Sequence, residues 1–519
     1  MPGDGGTPVP GDGGSAGPGP GPGSDPGARG GPVLWVAILA SFIAFLDGAI
    51  VNVALPAITT ELGGGIATQQ WVIDAYLLTL GSLILVAGST SDSFGRVRVL
   101  RLGLVIFGLA ALACAVAPDG AVLIAARAVQ GAGAALLVPS SLALITATFS
   151  GPAQAKAIGS WTAWTGTAFV AGPLLGGVLV DAQSWRWIFA INVLPIAAAL
   201  LLLGRIRDLL GSGPRSPIDY AGAVLAALGL AGPVFAFIEQ DRLGWGHPAV
   251  IVPFAVGLAC FGAFLWRERH TDYPMMPLGL FRTRNFGFGN LATAFIYAGI
   301  PLGLLIVVLF LQEVKGFPAS LAGLATIPVA VLSLLLAGVF GALAGSHGPR
   351  LFMAVGPVVA GCGFLLMLAT GSAFNFWLQM LPGLLLLGLG LAITVAPLTA
   401  AILGSVPPQE SGIGSAVNNA VSRVAGLVSV AFVGVLIGGS LDVGGFRRVA
   451  LTVAVLLFAG GAVSALGIRN PDVEAAPVPH AATANCRDRA TAGGVSISRA
   501  PAGGRIGGDG RKHHSPRTG

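Results

Sequence analysis

The sequence predicts an all-α integral membrane protein with fourteen transmembrane helices, and composition and periodicity both predict it. Charged residues make up 10% of the 519 positions, against roughly 25% in soluble domains, while 54% are hydrophobic and the mean hydropathy is +0.83. Apolar blocks recur from Val33 to Ile468, each close to the roughly 20 residues that a helix needs to cross the hydrocarbon core. Short loops between the blocks hold most of the charge, which disfavours a soluble enzyme.

Two polar tails flank the apolar region. Residues 1–32 consist mainly of Gly, Pro, Ser and Asp, and residues 471–519 are also low in apolar side chains. Such a composition cannot offset the entropy lost on ordering, so we expect both tails to be disordered. The blocks between the tails predict spans at residues 33–57, 69–90, 99–117, 121–145, 157–180, 187–204, 219–239, 249–266, 288–312, 319–341, 350–370, 375–402, 415–438 and 448–468.

The distribution of spans and basic residues predicts the topology. Arginine concentrates in alternate loops, which by the positive-inside rule places both termini in the cytoplasm, with the protein in the cell membrane. Six spans fall within residues 33–205 and six within 285–470, while residues 206–284 hold an inserted pair with its linkers. Two six-helix halves are typical of secondary transporters. We expect a monomer, and the composition rich in Ala, Gly, Pro and Arg indicates a bacterial source.

Several other classes of function find no support in the sequence. No GxxxxGK[ST] loop is present to bind ATP in a primary pump. The four cysteines and six histidines lack metal-ligand spacing, so we expect no metal and no cofactor. The net charge of +6 comes largely from arginines at helix ends, which argues against nucleic-acid binding.

Asp47, Asp74 and Arg127 are ionisable residues inside predicted spans, where a charge is costly and marks a functional site by default. A rise of about 1.5 Å per residue places Asp47, Asp74 and Arg127 at neighbouring depths. We therefore predict a buried triad at which a proton and a cargo compete. The alternatives are structural: Asp47 tied to a neighbouring helix for packing, Arg127 paired with backbone carbonyls or with Asp74, and Asp74 at a water-exposed helix end.

The segment GSTSDSFGRVR, from Gly88 to Arg98, predicts a tight cytoplasmic turn after the second span. It resembles the signature between the second and third helices of the major facilitator superfamily, although Ser89, Thr90 and Ser91 stand where that family usually has apolar or basic residues. The resemblance implies a cytoplasmic gate loop formed by Gly88, Asp92, Gly95, Arg96 and Arg98.

Three further segments strengthen this resemblance. LDGAIVNVALP from Leu46, LIAARAVQGAGAA from Leu123 and GPLLGG from Gly172 resemble the first-, fourth- and fifth-helix motifs of the fourteen-helix drug:proton antiporters in that superfamily. Ala49 and Ala168 depart from the usual Thr and Gly. The resemblance covers residues 33–470 and implies a transporter rather than an enzyme, with an antiporter motif at Gly172, Pro173, Gly176 and Gly177.

Two other groups of residues have weaker interpretations. Trp161 and Trp164 precede the fifth-helix motif and can form an aromatic wall for a flat or cationic substrate, although packing or a membrane-interface belt is favoured. Asn418, Asn419 and Arg423 fall at the start of the thirteenth span. We interpret these three as polar helix-end residues, with support of an inner gate as the alternative.

We therefore predict a proton-coupled secondary transporter in the lipid bilayer that exports small amphiphilic or cationic drugs by alternating-access antiport. Its partners are a small-molecule substrate and protons, which serve as the coupling ion. The alternatives within transport are a dedicated exporter of one endogenous metabolite or antibiotic and a proton-coupled importer. From another class, the alternative is a non-transporting membrane receptor or scaffold.

Overall fold

The computed structural model describes residues 26–206, 219–272, 274–371, 373–407, 411–439 and 441–470. Within these ranges every regular element is a helix. Most of the first predicted tail and all of the second lie outside the described residues. The start of the first helix differs from our expectation, because it begins at Pro26 inside the segment predicted to be disordered. Proline is well suited to the first position of a helix, where its missing N–H has no intrahelical partner to lose.

Helices occupy all fourteen predicted spans, most of them a few residues longer than expected. Eleven of those described are long and apolar enough to cross a membrane on their own. The helices are α1 Pro26–Leu62, α2 Gly65–Phe94, α3 Arg96–Ala115, α4 Gly120–Thr148, α5 Gly151–Ala182, α6 Trp187–Leu203, α7 Tyr220–Leu243, α8 Pro248–His270, α9 Arg284–Val314, α10 Ala319–His347, α11 Pro349–Met367, α12 Phe376–Leu403, α13 Ser411–Ala431 and α14 Val443–Gly467.

Side-chain caps begin several of these helices. Asp119 accepts a hydrogen bond from the backbone N–H of Val122 at the start of α4, and Asp442 accepts one from Gly445 at the start of α14. Each carboxylate satisfies one of the free N–H groups of the first helical turn. The short polar loops of the sequence therefore fix where the spans begin.

The helices pack into two halves. Helices α1 to α6 contact one another on one side, and α9 to α14 do so on the other. The halves meet where α2 packs against α13 and where α5 packs against α10, with smaller contacts of α1 on α9 and α10. The inserted helices α7 and α8 pack closely on each other, and α7 also contacts α2 and α13. This is the arrangement of a major facilitator fold with an inserted helix pair.

The inserted pair is held by small residues and by one ion pair. Arg267 near the end of α8 donates to both carboxylate oxygens of Asp219, which precedes α7, with its Nε 2.9 Å from each oxygen. This interaction lowers the pKa of Asp219, which therefore stays ionised at neutral pH. Further along, Gly232 of α7 lies against the backbone of Pro253 and Gly257, so the two helices approach to backbone contact.

Adding one methyl group at this crossing should separate the inserted helices. In Gly232→Ala the new Cβ would overlap the carbonyl oxygen of Pro253, whereas in the matched control Gly262→Ala on α8 it would meet open space. Overpacking of this kind costs about 1–3 kcal/mol. We expect the melting temperature in detergent to be lower than that of the parent for Gly232→Ala and unchanged for Gly262→Ala. Equal melting temperatures for the two variants would contradict the close crossing.

Candidate functional site

A buried ion pair joins α1 to α4. The side chains of Asp47 and Arg127 are 0% and 1% exposed, and Nη1 of Arg127 lies 2.5 Å from Oδ2 of Asp47. The other carboxylate oxygen accepts hydrogen bonds from Gln130, 2.8 Å away, and from Asn192, 3.1 Å away. Both oxygens of Asp47 are therefore satisfied, and the predicted contact between Asp47 and Arg127 is present.

The guanidinium of Arg127 is also fully surrounded. Its Nε donates to the backbone carbonyl of Val72 at 2.9 Å, and Nη1 donates to Gln130 at 2.7 Å. The ring of Tyr76 faces the guanidinium at 4.3 Å from its centroid. A buried charge is stable only when it is paired and hydrogen-bonded, and this pair meets both conditions. The network therefore fixes α1, α2, α4 and α6 against one another.

Gln130 and Asn192 belong to this site, and we did not single them out from the sequence. Gln130 lies three residues after Arg127 on α4, and neighbours at this spacing share a helix face, so its position could have been inferred. Asn192 lies between the two helical pieces Trp187–Ala190 and Val193–Leu203 of α6. No local pattern in the sequence directs its side chain toward Asp47.

The predicted triad is wrong in one member, because Asp74 makes no hydrogen bond with Arg127, which pairs with Asp47 instead. Asp74 is 0% exposed, and neither of its carboxylate oxygens has a hydrogen-bond partner among the residues the structure describes. Helical residues are about 100° apart, so Asp74 points away from the face on which Val72 and Tyr76 meet Arg127. The depth of a residue along a helix does not give the direction of its side chain.

Asp74 faces the interface between the two halves. One turn toward the start of α2, Gln70 donates hydrogen bonds of 3.0 and 2.7 Å to the carbonyls of Val430 and Ala431 on α13. Two turns the other way, Gly81 packs against Arg423 of α13. Gln70, Asp74 and Gly81 share one face of α2. The unpartnered acid therefore lies along the contact of α2 with α13.

The structure also corrects our interpretation of Arg423. We placed it at a helix end, but α13 runs from Ser411 to Ala431, so Arg423 lies in the middle of a span. Its guanidinium faces the ring of Phe45 on α1 at 5.6 Å from the centroid. Asn418, also inside the helix, donates to Asn290 and Thr293 of α9. The early start of α13 was hidden by the polar residues of its first turns.

The predicted cytoplasmic gate segment is more helical than expected. Gly88 and the backbone of Asp92 belong to α2, which continues to Phe94, and Arg96 and Arg98 already belong to α3. Only Gly95, with φ of 96°, separates the two helices, and this backbone conformation favours glycine. The loop prediction is therefore wrong, while the tight turn is present. The side chain of Asp92 lies outside the described part of the structure.

The glycines of the fifth-helix motif bring α5 into contact with two helices. A Cβ added at Gly172 or Gly176 would lie 2.7 Å from Ala49 or Ile50 of α1, respectively. Gly177 packs on the backbone of Ser320 of α10, and Pro173 packs on Gly323 of the same helix. The motif therefore provides close packing both within one half and between the halves.

Hydrogen bonds join the halves at the end of the bundle where α1 ends and α2 begins, which we call the outer end. Asp181, at the end of α5, accepts hydrogen bonds from the backbone N–H groups of Ala319 and Ser320 at 3.0 and 2.8 Å. A carboxylate at the start of α10 is also favoured by the helix dipole. Gln69 adds a hydrogen bond of 2.6 Å to Glu313. The outer end is closed by contacts that must break for it to open.

The two predicted wall residues have different surroundings. Trp161 is half-buried, and its indole N–H donates to the hydroxyl of Ser41 at 3.1 Å. Trp164 is 48% exposed and packs against Trp35 at 5.5 Å between ring centroids. Trp161 is thus fixed by α1, while Trp164 presents an aromatic face.

Removing one charge of the buried pair should destabilise the protein more than removing both. Asp47→Asn or Arg127→Gln leaves an uncompensated buried group, which costs about 3–5 kcal/mol. The double variant removes both charges and keeps amide groups in place. We expect its melting temperature in detergent to exceed that of either single variant. Arg242→Gln, which breaks an exposed ion pair with Glu239, is the control and should cost about 0–1 kcal/mol. Additive losses in the double variant would refute the coupling.

Weakening the Asp181 contact should favour opening of the outer end. Asp181→Asn removes the charge that faces two backbone N–H groups, a loss of about 1–2 kcal/mol, or about 5- to 30-fold in the ratio of open to closed molecules. Thr60 and Ala373 are both exposed. Spin labels at these two positions allow the distance between them, across the outer end, to be measured by electron paramagnetic resonance. Asp272→Asn, which changes an exposed carboxylate just after α8, is the control. An unchanged distance distribution in Asp181→Asn would show that other contacts keep this end closed.

Comparison with known proteins places this architecture in a family. A family model described as Major Facilitator Superfamily matches residues 37–430. The chain is 33% identical over 415 residues to the methylenomycin A resistance protein of Bacillus subtilis, which covers 79% of this chain and 88% of that protein. It is 34% identical over 421 residues to the puromycin resistance protein pur8 of Streptomyces alboniger, covering 78% and 82%. It is 33% identical to the multidrug resistance protein Stp of Mycobacterium tuberculosis over 410 residues, covering 78% and 75%.

Solved structures show the same fold. The peptide transporter POT in complex with sulfate superimposes with a TM-score of 0.63 at 15% identity, covering 85% of this chain and 97% of that one. The xylose transporter XylE from E. coli in its inward open conformation gives a TM-score of 0.57 at 15% identity, with the same coverage. The chain therefore belongs to the Major Facilitator Superfamily of membrane transporters, and drug- and antibiotic-resistance proteins are among its relatives.

Proposed function

We propose that this protein exports small amphiphilic compounds, cations among them, across a bacterial cell membrane in exchange for protons. Both termini lie in the cytoplasm in this proposal, and the protein acts as a monomer without a cofactor. Protons are the coupling ion, and Asp74 is the group that carries them. The unpartnered carboxyl group of Asp74 at the interface of the two halves is the observation that carries the proposal.

The surroundings of Asp74 suit a group that gains and loses a proton. A carboxylate buried without donors is strongly disfavoured, whereas the neutral acid needs far less compensation. Asp47, by contrast, has a donor on each oxygen and a paired arginine, so its charge is compensated. Asp74 therefore carries the proton in this closed arrangement, while the Asp47–Arg127 pair keeps the surrounding helices in place. Rocking of α2 against α13 then exposes Asp74 to water.

The driving force is sufficient for export, and the names of the relatives support this direction. A proton moving inward gains about 1.4 kcal/mol per pH unit and about 2.3 kcal/mol per 100 mV, which supports at least tenfold extrusion of a neutral compound. Relatives are named for resistance to methylenomycin A and puromycin and for resistance to several drugs. Resistance favours export over import. Charged groups in the membrane interior also argue against an inert scaffold.

A second candidate is a dedicated exporter of one antibiotic or metabolite. Two of the relatives are named for a single antibiotic, and another is described as a probable actinorhodin transporter of Streptomyces coelicolor. Growth of cells that produce this protein, measured against a panel of structurally unrelated drugs, separates the two. Protection against one chemical class alone supports the dedicated exporter.

Replacing the proposed proton carrier should abolish coupling. In Asp74→Asn the side chain keeps its size but cannot titrate, so we expect cargo-driven proton movement in reconstituted vesicles to fall about 100-fold or more, as when one essential proton-transfer group is lost. A pH-sensitive dye inside the vesicles measures this movement, and ethidium is the test cargo. Asp241→Asn changes an exposed carboxylate of α7 and should behave like the parent. Undiminished coupling in Asp74→Asn would rule out this residue as the carrier.

A further inference from the structure

An unpaired cation and an unpaired acid lie on the same interface of this protein. Nε of Arg423 is buried and has no hydrogen-bond partner among the residues described, and no salt bridge there involves its guanidinium. The guanidinium is placed over the ring of Phe45. Asp74 is buried without partners on the facing helix. Each of these groups lacks what the other could supply.

The two groups are arranged so that they can meet. A Cβ added at Gly81 would lie 3.6 Å from Cβ of Arg423. The side chain of Arg423 therefore leaves α13 next to a residue of α2 that has no side chain. Gly81 and Asp74 are two turns apart on one helix face, a separation of about 10 Å along α2. Leu77 and Leu78 of α2 pack with Leu427 of α13 between Gly81 and Asp74, so the long side chain of Arg423 reaches Asp74 only when α2 and α13 move apart.

The ring of Phe45 is half-buried and contacts both the guanidinium of Arg423 and the ring of Phe169 of α5, whose centroid is 5.7 Å away. Helix α1 is surrounded by α2, α4, α5, α6, α9 and α10, so the uncovered parts of its surface face the interior of the bundle. Gly48, one turn after Phe45, is exposed, and a Cβ added there would meet no neighbouring atom. An aromatic face beside an internal space suits a cationic or aromatic group.

We propose that Phe45 is the cargo contact and that Arg423 occupies it in place of the cargo while Asp74 carries its proton, then moves to pair with Asp74 when the proton leaves. This inference rests on the proposed function, since it names where the cargo binds and how the proton excludes it. The proton passes from the carboxyl group of Asp74 to water on the cytoplasmic side. The carboxylate then attracts Arg423, and the ring of Phe45 becomes free for a cationic or aromatic group of the cargo.

The other charged and titratable groups around Asp74 leave this role to Arg423. Tyr76 on α2 and Tyr297 on α9 lie near Arg423, but a phenol is a weaker partner for a guanidinium than a carboxylate is. Arg127 of α4 and Asp47 of α1 compensate each other. Glu239 of α7 accepts hydrogen bonds from Trp71 near the start of α2 and from Arg242 of its own helix. Of the groups described here, Arg423 is thus the cation available to pair with an ionised Asp74.

Proton binding at Asp74 and cargo binding at Phe45 oppose each other, as exchange requires. With Asp74 neutral, the guanidinium covers Phe45 and repels a cationic cargo. With Asp74 ionised, the two side chains neutralise each other and the ring is free. Proton and cargo therefore exclude each other without sharing a single atom as ligand.

Ethidium, a flat aromatic cation, tests this arrangement in purified protein held in lipid nanodiscs. In the parent, affinity should rise at least tenfold as pH increases through the titration of Asp74. Asp74→Asn should bind weakly at every pH, because Arg423 stays on Phe45. Adding Arg423→Gln to Asp74→Asn should restore binding at least tenfold. Phe45→Leu should lose binding, whereas Phe45→Tyr should keep it, and Arg242→Gln, an exposed arginine, should match the parent.

Two results would overturn the inference. If Arg423→Gln weakened ethidium binding at low pH, Arg423 would be a ligand of the cargo rather than its substitute. If Arg423→Gln left the binding of Asp74→Asn unchanged, the two residues would act independently.

Melting temperatures provide a test that needs no cargo. The effects of Asp74→Asn and Arg423→Gln should be additive at low pH and non-additive at high pH, where the pair forms. Additivity at all pH values would exclude the pair. If ethidium bound to no variant while this non-additivity was present, the cargo contact at Phe45 and the proposed export of cations would fail, and only the pairing of Arg423 with Asp74 would stand.

Discussion

The ion pair of Asp47 and Arg127 is the interaction on which the arrangement of the first half depends. Two charges withdrawn from water are tolerated only with full compensation, and here the compensation comes from four helices at once. The backbone of α2 at Val72, the amide of Gln130 on α4 and that of Asn192 on α6 all take part. None of these helices can shift by an ångström without losing a partner of a buried charge. The ion pair and its hydrogen bonds therefore hold α1, α2, α4 and α6 together.

The contrast with the α2–α13 interface is informative. There the polar groups are not mutually satisfied: Asp74 has no donor, and the Nε of Arg423 has no acceptor among the residues described. Buried polar groups without partners are rare in stable packing and are found where a structure has more than one state. One face of α2 thus contributes to the hydrogen-bonded network at Val72, and the opposite face meets α13 with an unpartnered carboxyl group. Motion of one half against the other is consistent with this division.

Much of the fold could be predicted from the sequence, because a bilayer requires apolar helices of a fixed length, and helices overlap all fourteen predicted segments, eleven of them long and apolar enough to span a membrane. The site was predicted only in part. Depth along a helix is read directly from residue number, which located Asp47 and Arg127 at a common level. Direction around the helix depends on which neighbour each face meets, so Asp74 was assigned to the wrong partner. Arg423 was missed for a related reason: the polar first turns of α13 resembled a loop, and the helix was started too late.

Helix α7 has a consequence for how hydrophobic molecules reach the interior. It packs on both α2 and α13, and its residues Val234 and Ile238 form an apolar cluster with Leu427 and Ala431 of α13. A carrier whose two halves meet along two lines has two lateral crevices through which a membrane-dissolved compound could slip in from the lipid. Because α7 covers the line of contact between α2 and α13, a lipid-soluble cargo of such a carrier would enter sideways beside α5 and α10.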